Sequence, residues 1–121
     1  MLLGIDYGKA RIGIAISNGI LARPLTIIKN ESWKVLFAKI KRICDENSVK
    51  TVVFGLPLNA NGTESKMSEE VRTFSEFFKE YEIVLFDERY SSLEATDINS
   101  KKVDETAAAV ILQRYIDSKK V

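Results

Sequence analysis

Hydrophobic positions change their spacing several times along the chain, and each change marks an element. Leu2 to Asp6 begins with a short apolar run that reads as a buried strand. From Arg11 to Ser17, Ile12, Ile14 and Ile16 alternate with Gly13 and Ala15. A period of two with small residues on one face predicts a strand that a helix or another backbone can approach closely. Asn18-Gly19 signals a turn. Pro24 to Ile28 is a third strand, with Pro24 at its start, where a missing donor does least harm. The three strands predict an antiparallel meander.

The period then lengthens. Ser32 is a candidate N-cap, and Trp33, Leu36, Phe37, Ile40 and Ile43 form a helical stripe behind it. Thr51 to Leu56 is apolar on both faces, as a central parallel strand is. Pro57 to Ser65 is rich in breakers and reads as a loop. A second helix is expected from near Ser68, carrying Val71, Phe74, Phe77, Phe78 and Tyr81. Ile83 to Phe86 is another buried strand, and a last helix runs from about Asp104 to Ser118. Strands that alternate with helices imply parallel crossovers. The expected architecture is therefore one α/β domain over residues 1–121. Its five-stranded mixed sheet joins a three-strand antiparallel meander to two parallel strands, with helices flanking it.

Composition narrows the chemistry. A hydrophobic content of 45% in 121 residues is enough for one core. No apolar run is long enough to span a bilayer, and the first residues lack the basic region and cleavage site of a signal peptide. Cys44 is the single cysteine, which rules out an internal disulfide and fits a reducing cytoplasm. The sequence has no histidine. That excludes Ser-His-Asp and Cys-His nucleophile systems and removes the usual zinc ligands. The net charge of +1 is unlike that of a strongly basic nucleic-acid binder. Phosphate contacts would have to come from a local patch such as Lys9, Arg11, Arg23, Arg89, Lys101 and Lys102.

Carboxylates carry the remaining chemistry. Asp6 ends the first apolar run, Asp87 and Glu88 end the run Ile83 to Phe86, and Asp104 opens the last helix. Ligands of open α/β sheets sit outside the carboxyl ends of the strands. Singly, each acid has an ordinary role. Asp6 can cap a turn, Glu88 can pair with Arg89 on the surface, and Asp104 suits a helix N-terminus. Gathered together they repel one another until a divalent cation neutralises them, and hard cations take such oxygen ligands. Two cations about 4 Å apart can support phosphodiester cleavage. Periodicity does not choose between Asp87 and Glu88, because both faces of the preceding strand are apolar. Asp104 shares a helical face with Ala107, Ala108, Ile111 and Tyr115, so it is expected to point towards the sheet edge. Gly55-Leu56-Pro57 and the Gly62 loop suit either a mobile flap over a substrate or a simple surface connection. The loop lacks the GxxxxGK[ST] pattern of a phosphate-binding loop.

In this arrangement the chain resembles the YqgF family, known as candidate Holliday-junction resolvases and as pre-16S rRNA processing nucleases. The resemblance covers nearly the full length. It rests on Gly4-Ile5-Asp6-Tyr7-Gly8 with Arg11, Gly13 and Ala15, then on Gly55-Leu56-Pro57, Asn59 and Gly62-Thr63. It continues through Asp87-Glu88-Arg89 and Ser91-Ser92-Leu93-Glu94-Ala95 to Asp104 with Ala107-Ala108 and Ile111-Leu112. It implies a ribonuclease H-like fold and a nuclease dependent on Mg²⁺ or Mn²⁺. The family's acidic positions fall on Asp6, Asp87 or Glu88, and Asp104. Glu88 is favoured over Asp87 as the metal ligand because its longer side chain reaches beyond the strand end. Lys9, Arg11, Arg89 and Asn59 are the candidate substrate contacts. The implied partner is nucleic acid, either precursor rRNA or branched DNA, and a homodimer would suit a two-strand cut. Family members usually carry a longer, more basic segment before the final Asp. Here Ala95 to Asp104 is short, which predicts weaker duplex or junction binding.

Two other readings compete. A non-catalytic nucleic-acid-binding factor would suit the near-neutral charge but not the retained acids. A nucleotide phosphotransferase shares the early Asp-x-Gly turn but needs two such domains to enclose its nucleotide.

Overall fold

The computed structural model describes residues 1–89 and 103–119, with side chains for 1–89 and 107–119. Five strands form one sheet: β1 (Leu2–Tyr7), β2 (Arg11–Ser17), β3 (Ala22–Lys29), β4 (Thr51–Leu56) and β5 (Glu82–Asp87). Their order is β3-β2-β1-β4-β5. β1 to β3 are antiparallel neighbours, and β1, β4 and β5 run parallel. The expected meander with two added parallel strands is the one observed.

Side-chain alternation divides the molecule into two cores. Leu3, Ile5, Tyr7, Val52 and Phe54 face one side. There they meet Leu36 and Ile40 of α1 (Trp33–Glu46), Val71 and Phe74 of α2 (Lys66–Ser75), and Phe78. Rings pack this layer, with Phe74 beside Tyr7, Trp33, Phe54 and Phe78. On the other side Ala15 and Val53 meet Ala108, Ala109, Ile111, Leu112 and Tyr115 of α3 (Val103–Ser118). Small residues set how closely α3 lies. A Cβ on Gly4 would come within 2.9 Å of the Leu112 Cβ and 3.0 Å of the Ala108 carbonyl oxygen. Gln113 ties the helix to the β2–β3 hairpin, accepting from the Ala22 amide at 2.7 Å and donating to the Ile20 carbonyl at 3.2 Å.

Several local details differ from the sequence expectations. β3 begins at Ala22, so Pro24 lies inside it. A register shift between Ile14 and Ala15 and the edge position of β3 accommodate the missing donor. α2 begins at Lys66, two residues before the expected start near Ser68, with Ser65 as its N-cap. Ser68 is the buried partner in a capping box: the Ser65 hydroxyl accepts from the Ser68 amide, and the Ser65 amide donates to Ser68 Oγ. The helix stops at Ser75 and tightens into a 3-10 turn, Glu76–Phe78, so Phe78 and Tyr81 do not continue one α-helical face. Ala108 and Ala109 are buried in α3, whereas Ala107 is only partly so.

Gly4→Ala should force α3 away from the sheet, since its nearest obstacles include backbone. The expected cost is about 1–3 kcal/mol, read as a fall in the urea midpoint with an unchanged slope.

Candidate active site

The parallel strands β1, β4 and β5 deliver their carboxyl ends to one edge of the sheet. Parity then decides which acids share a face. Asp6 follows Leu2 and Gly4 on the α3 side. Val84 and Phe86 of β5 pack on that side too, whereas Ile83 and Leu85 face the α1–α2 layer. Glu88, two residues beyond Phe86, therefore turns towards Asp6. Its amide extends the β4–β5 ladder by donating to the Leu56 carbonyl at 3.0 Å.

Gly55 is the seat for this side chain. A Cβ there would meet Glu88 Cγ at 2.8 Å, Glu88 Cδ at 2.9 Å and Ile111 Cδ1 at 2.7 Å. Glu88 thus lies over bare backbone, against α3 and partly out of water. Burial, then the charge of Asp6, then that of Asp87, push its carboxyl up to about 7. Two carboxylates that compete for charge in this way form a pair that a proton or a divalent cation relieves. Among the described residues no group of three or more acids, Cys or His could hold a metal. The third acid of the resemblance, Asp104, lies in the first turn of α3, and its side chain is outside the described set.

Asp87 points the other way. Arg89 Nε reaches both its oxygens, at 3.1 and 2.9 Å, and Nη2 meets Oδ2 at 2.6 Å. The guanidinium holds the Asp87 carboxyl below the usual carboxylate range. Arg89 also donates to the Ala60 carbonyl at 3.2 Å. It lies against Gly62, whose φ of +90° suits glycine. Asn59 holds the loop together from within, its amide group donating to Thr63 Oγ1 and the Glu64 carbonyl, each at 3.0 Å. The loop 57–65 is laced to itself and to Arg89. Arg89 and Asn59 are both engaged in these contacts.

Lys9 and Arg11 sit on the opposite flank. With Asp6, Gly13 and Ile27 they line a notch of about 230 Å³. The β1–β2 turn that carries them is fixed in shape: Gly8 lies so close to the Arg11 carbonyl oxygen that a Cβ would stand 2.6 Å from it. Asn30 clasps the same turn, donating to the Gly8 carbonyl at 2.6 Å through its side chain and to the Ala10 carbonyl at 3.0 Å through its amide. Lys101, Lys102 and the short segment before Asp104 lie outside the described residues. Sequence reasoning did not find the seat at Gly55 or the Asn30 clasp. The available signal was a glycine next to the end of an otherwise apolar strand, which marks a close approach.

Solved structures share this fold. Thermus thermophilus RuvC in complex with a Holliday junction substrate superposes with a TM-score of 0.61 at 11% identity, covering 97% of this chain and 94% of that one. The Holliday junction resolvase of fowlpox virus gives 0.61 at 14% identity over 97% and 98%. The fold is thus that of the ribonuclease H-like resolvases, with an acidic pair at the carboxyl edge of its sheet. A family model described as "RuvX: Holliday junction resolvase" matches residues 1–118, and the chain belongs to that family. A Clostridium botulinum relative, named as a candidate pre-16S rRNA nuclease, is 42% identical over 97% of this chain and 96% of its own length. Family and fold class the chain as a nuclease acting on phosphodiester bonds.

The pair predicts an unusual pH dependence. The folded protein keeps a proton on Glu88 up to about 7, whereas an ordinary glutamate loses it near 4.5. Between these values the folded state binds more protons, so stability falls as pH rises through the window and levels off above it. Glu88→Gln should abolish this fall and, above about pH 7 without divalent cations, stabilise the protein by up to about 3 kcal/mol. Chemical denaturation at several pH values checks both points.

Proposed function

We propose that the chain is a divalent-cation-dependent endonuclease that cleaves structured nucleic acid, with the precursor of 16S rRNA as its substrate. The observation that carries this reading is the Asp6–Glu88 pair, in which Glu88 is raised to about 7 beside a second acid. Such a pair fits Mg²⁺ or Mn²⁺, which are commonly held by one or two carboxylates together with water and phosphate oxygens. Asp6 and Glu88 would hold the cation, with Asp104 completing the set from the first turn of α3. When bound, the cation would neutralise charge on the scissile phosphate and activate water for its hydrolysis.

The chain's own residues supply the rest. Lys9 and Arg11 flank the notch beside Asp6 and would hold a neighbouring backbone phosphate. Gly55 keeps the seat of Glu88 open and Ile111 closes one side of it, reducing access of water. The name of the Clostridium botulinum relative supports precursor rRNA as the substrate. The description of the family model favours branched DNA as a second reading. Work on precursor rRNA would place the protein in the cytoplasm, and no helix among the described residues is long and apolar enough to cross a membrane.

Labelled precursor rRNA and a four-way DNA junction, each incubated with Mg²⁺ or Mn²⁺, test the proposal. Wild type should cut the RNA only when a divalent cation is present, and Asp6→Asn should cut it at least about 100-fold more slowly. Cleavage of the junction alone would select the second reading. Binding of either substrate with no cleavage by wild type would mean a non-catalytic binding factor.

A further inference from the structure

Asp87-Glu88-Arg89 sends three charged side chains to different places. Glu88 lies over Gly55 and faces Asp6. Its neighbours on either side are bound to each other across it. Asp87 Oδ1 accepts from the Arg89 amide at 2.9 Å, closing a turn around the Glu88 backbone. The Asp87 carboxylate then grips the Arg89 guanidinium in fork geometry, Oδ1 accepting from Nε and Oδ2 from Nη2. From there the guanidinium reaches Ala60 in the loop 57–65 and covers Gly62. The far end of the loop is anchored by Glu64, which accepts from Arg72 Nε and Nη2 at 2.9 Å each. With the Glu88 amide tied to Leu56, the backbone of Glu88 has hydrogen bonds before, across and after it.

We infer that Asp87 is a positioning residue of the reaction: through Arg89 it locks the loop 57–65 onto the end of β5 and holds Glu88 turned towards Asp6. Asp87 lies on the opposite side of β5 from Glu88, so its carboxylate serves the site through Arg89 and not as a ligand in it. The inference rests on the reading that Asp6 and Glu88 hold the cation. Partners outside the first ring of ligands typically change metal affinity or activity by about 10–100-fold when removed.

Electrostatics alone and positioning predict opposite effects for Arg89. Removing its positive charge leaves Asp87 uncompensated beside the site, which by charge alone should tighten Mn²⁺ binding. Loss of the latch should loosen it instead. The test uses full-length Asp87→Asn, Arg89→Met and the double variant. Asp87→Asn keeps an oxygen able to accept from the Arg89 amide, which protects the turn if Asp87→Ala fails to fold. Mn²⁺ affinity is read by calorimetry, the bound-Mn²⁺ resonance by electron paramagnetic resonance, and loop protection by amide hydrogen exchange. Where wild type cleaves a substrate, kcat and KM are read as well.

Positioning predicts that Arg89→Met weakens Mn²⁺ binding and alters its resonance. Each single variant should lower kcat by about 10–100-fold with KM little changed. The double variant should be no worse than the worse single one, because both residues act through one latch. Exchange in residues 57–65 should rise in all three. Tighter Mn²⁺ binding in Arg89→Met, additive losses in the double variant, or unchanged loop protection would each overturn the inference. A wild type that binds Mn²⁺ but cleaves nothing would overturn the nuclease reading, while the affinity, resonance and exchange arms would still decide the role of Asp87.

Discussion

Bringing the Asp6 and Glu88 carboxylates to one face of the sheet, partly out of water, sets like charge against like. The cost shows as the raised Glu88 carboxyl. The fold accepts it because parallel β1, β4 and β5 end together and α3 packs closely over that face of the sheet. Much of the surrounding detail follows from that demand. Gly4 lets α3 approach, Gly55 leaves room for the Glu88 side chain, and Ile111 closes the flank. On the proposed reading a divalent cation would relieve the repulsion and supply the chemistry of hydrolysis.

Alternation along β5 gives adjacent acids separate duties. Val84, Phe86 and then Glu88 follow the α3 face, whereas Ile83, Leu85 and then Asp87 follow the α1–α2 face. The same period of two that builds the cores sorts one acid to the pair and the other to Arg89. The loop between β4 and α2 is secured by that second acid, so the sheet edge and the loop beside it form one hydrogen-bonded unit.

The mixed sheet was legible in the sequence because the spacing changes cleanly from two to helical and back. Arg11–Ser17 and Thr51–Leu56 match the observed strands end for end. Where local patterns compete, the reading slipped. Ser65 and Ser68 are both good caps, and their mutual hydrogen bonds, invisible in a pattern, decide which one starts α2. The aromatic stripe hid the change to a 3-10 turn, because Phe77 and Phe78 satisfy either geometry. Asp6, Asp87, Glu88 and Asp104 could be named as candidates from where apolar runs end. Periodicity could not choose between Asp87 and Glu88, because β5 is apolar on both faces and only pairing with β4 and packing of α3 give those faces different neighbours; the preference for Glu88 rested on the length of its side chain. The contacts of the loop 57–65 were hidden for a similar reason: breakers mark a loop, but long-range contacts such as Arg89 with Ala60 are set by the fold.

The most direct test of the acidic pair is the ¹³C carboxyl shift of Glu88, followed by NMR through a pH titration with and without Mg²⁺. The account predicts a midpoint near 7 without the cation and a clear downward displacement when Mg²⁺ is added. A midpoint near the ordinary 4.5 that ignores Mg²⁺ would show that Asp6 and Glu88 do not act as a pair, and would contradict the account.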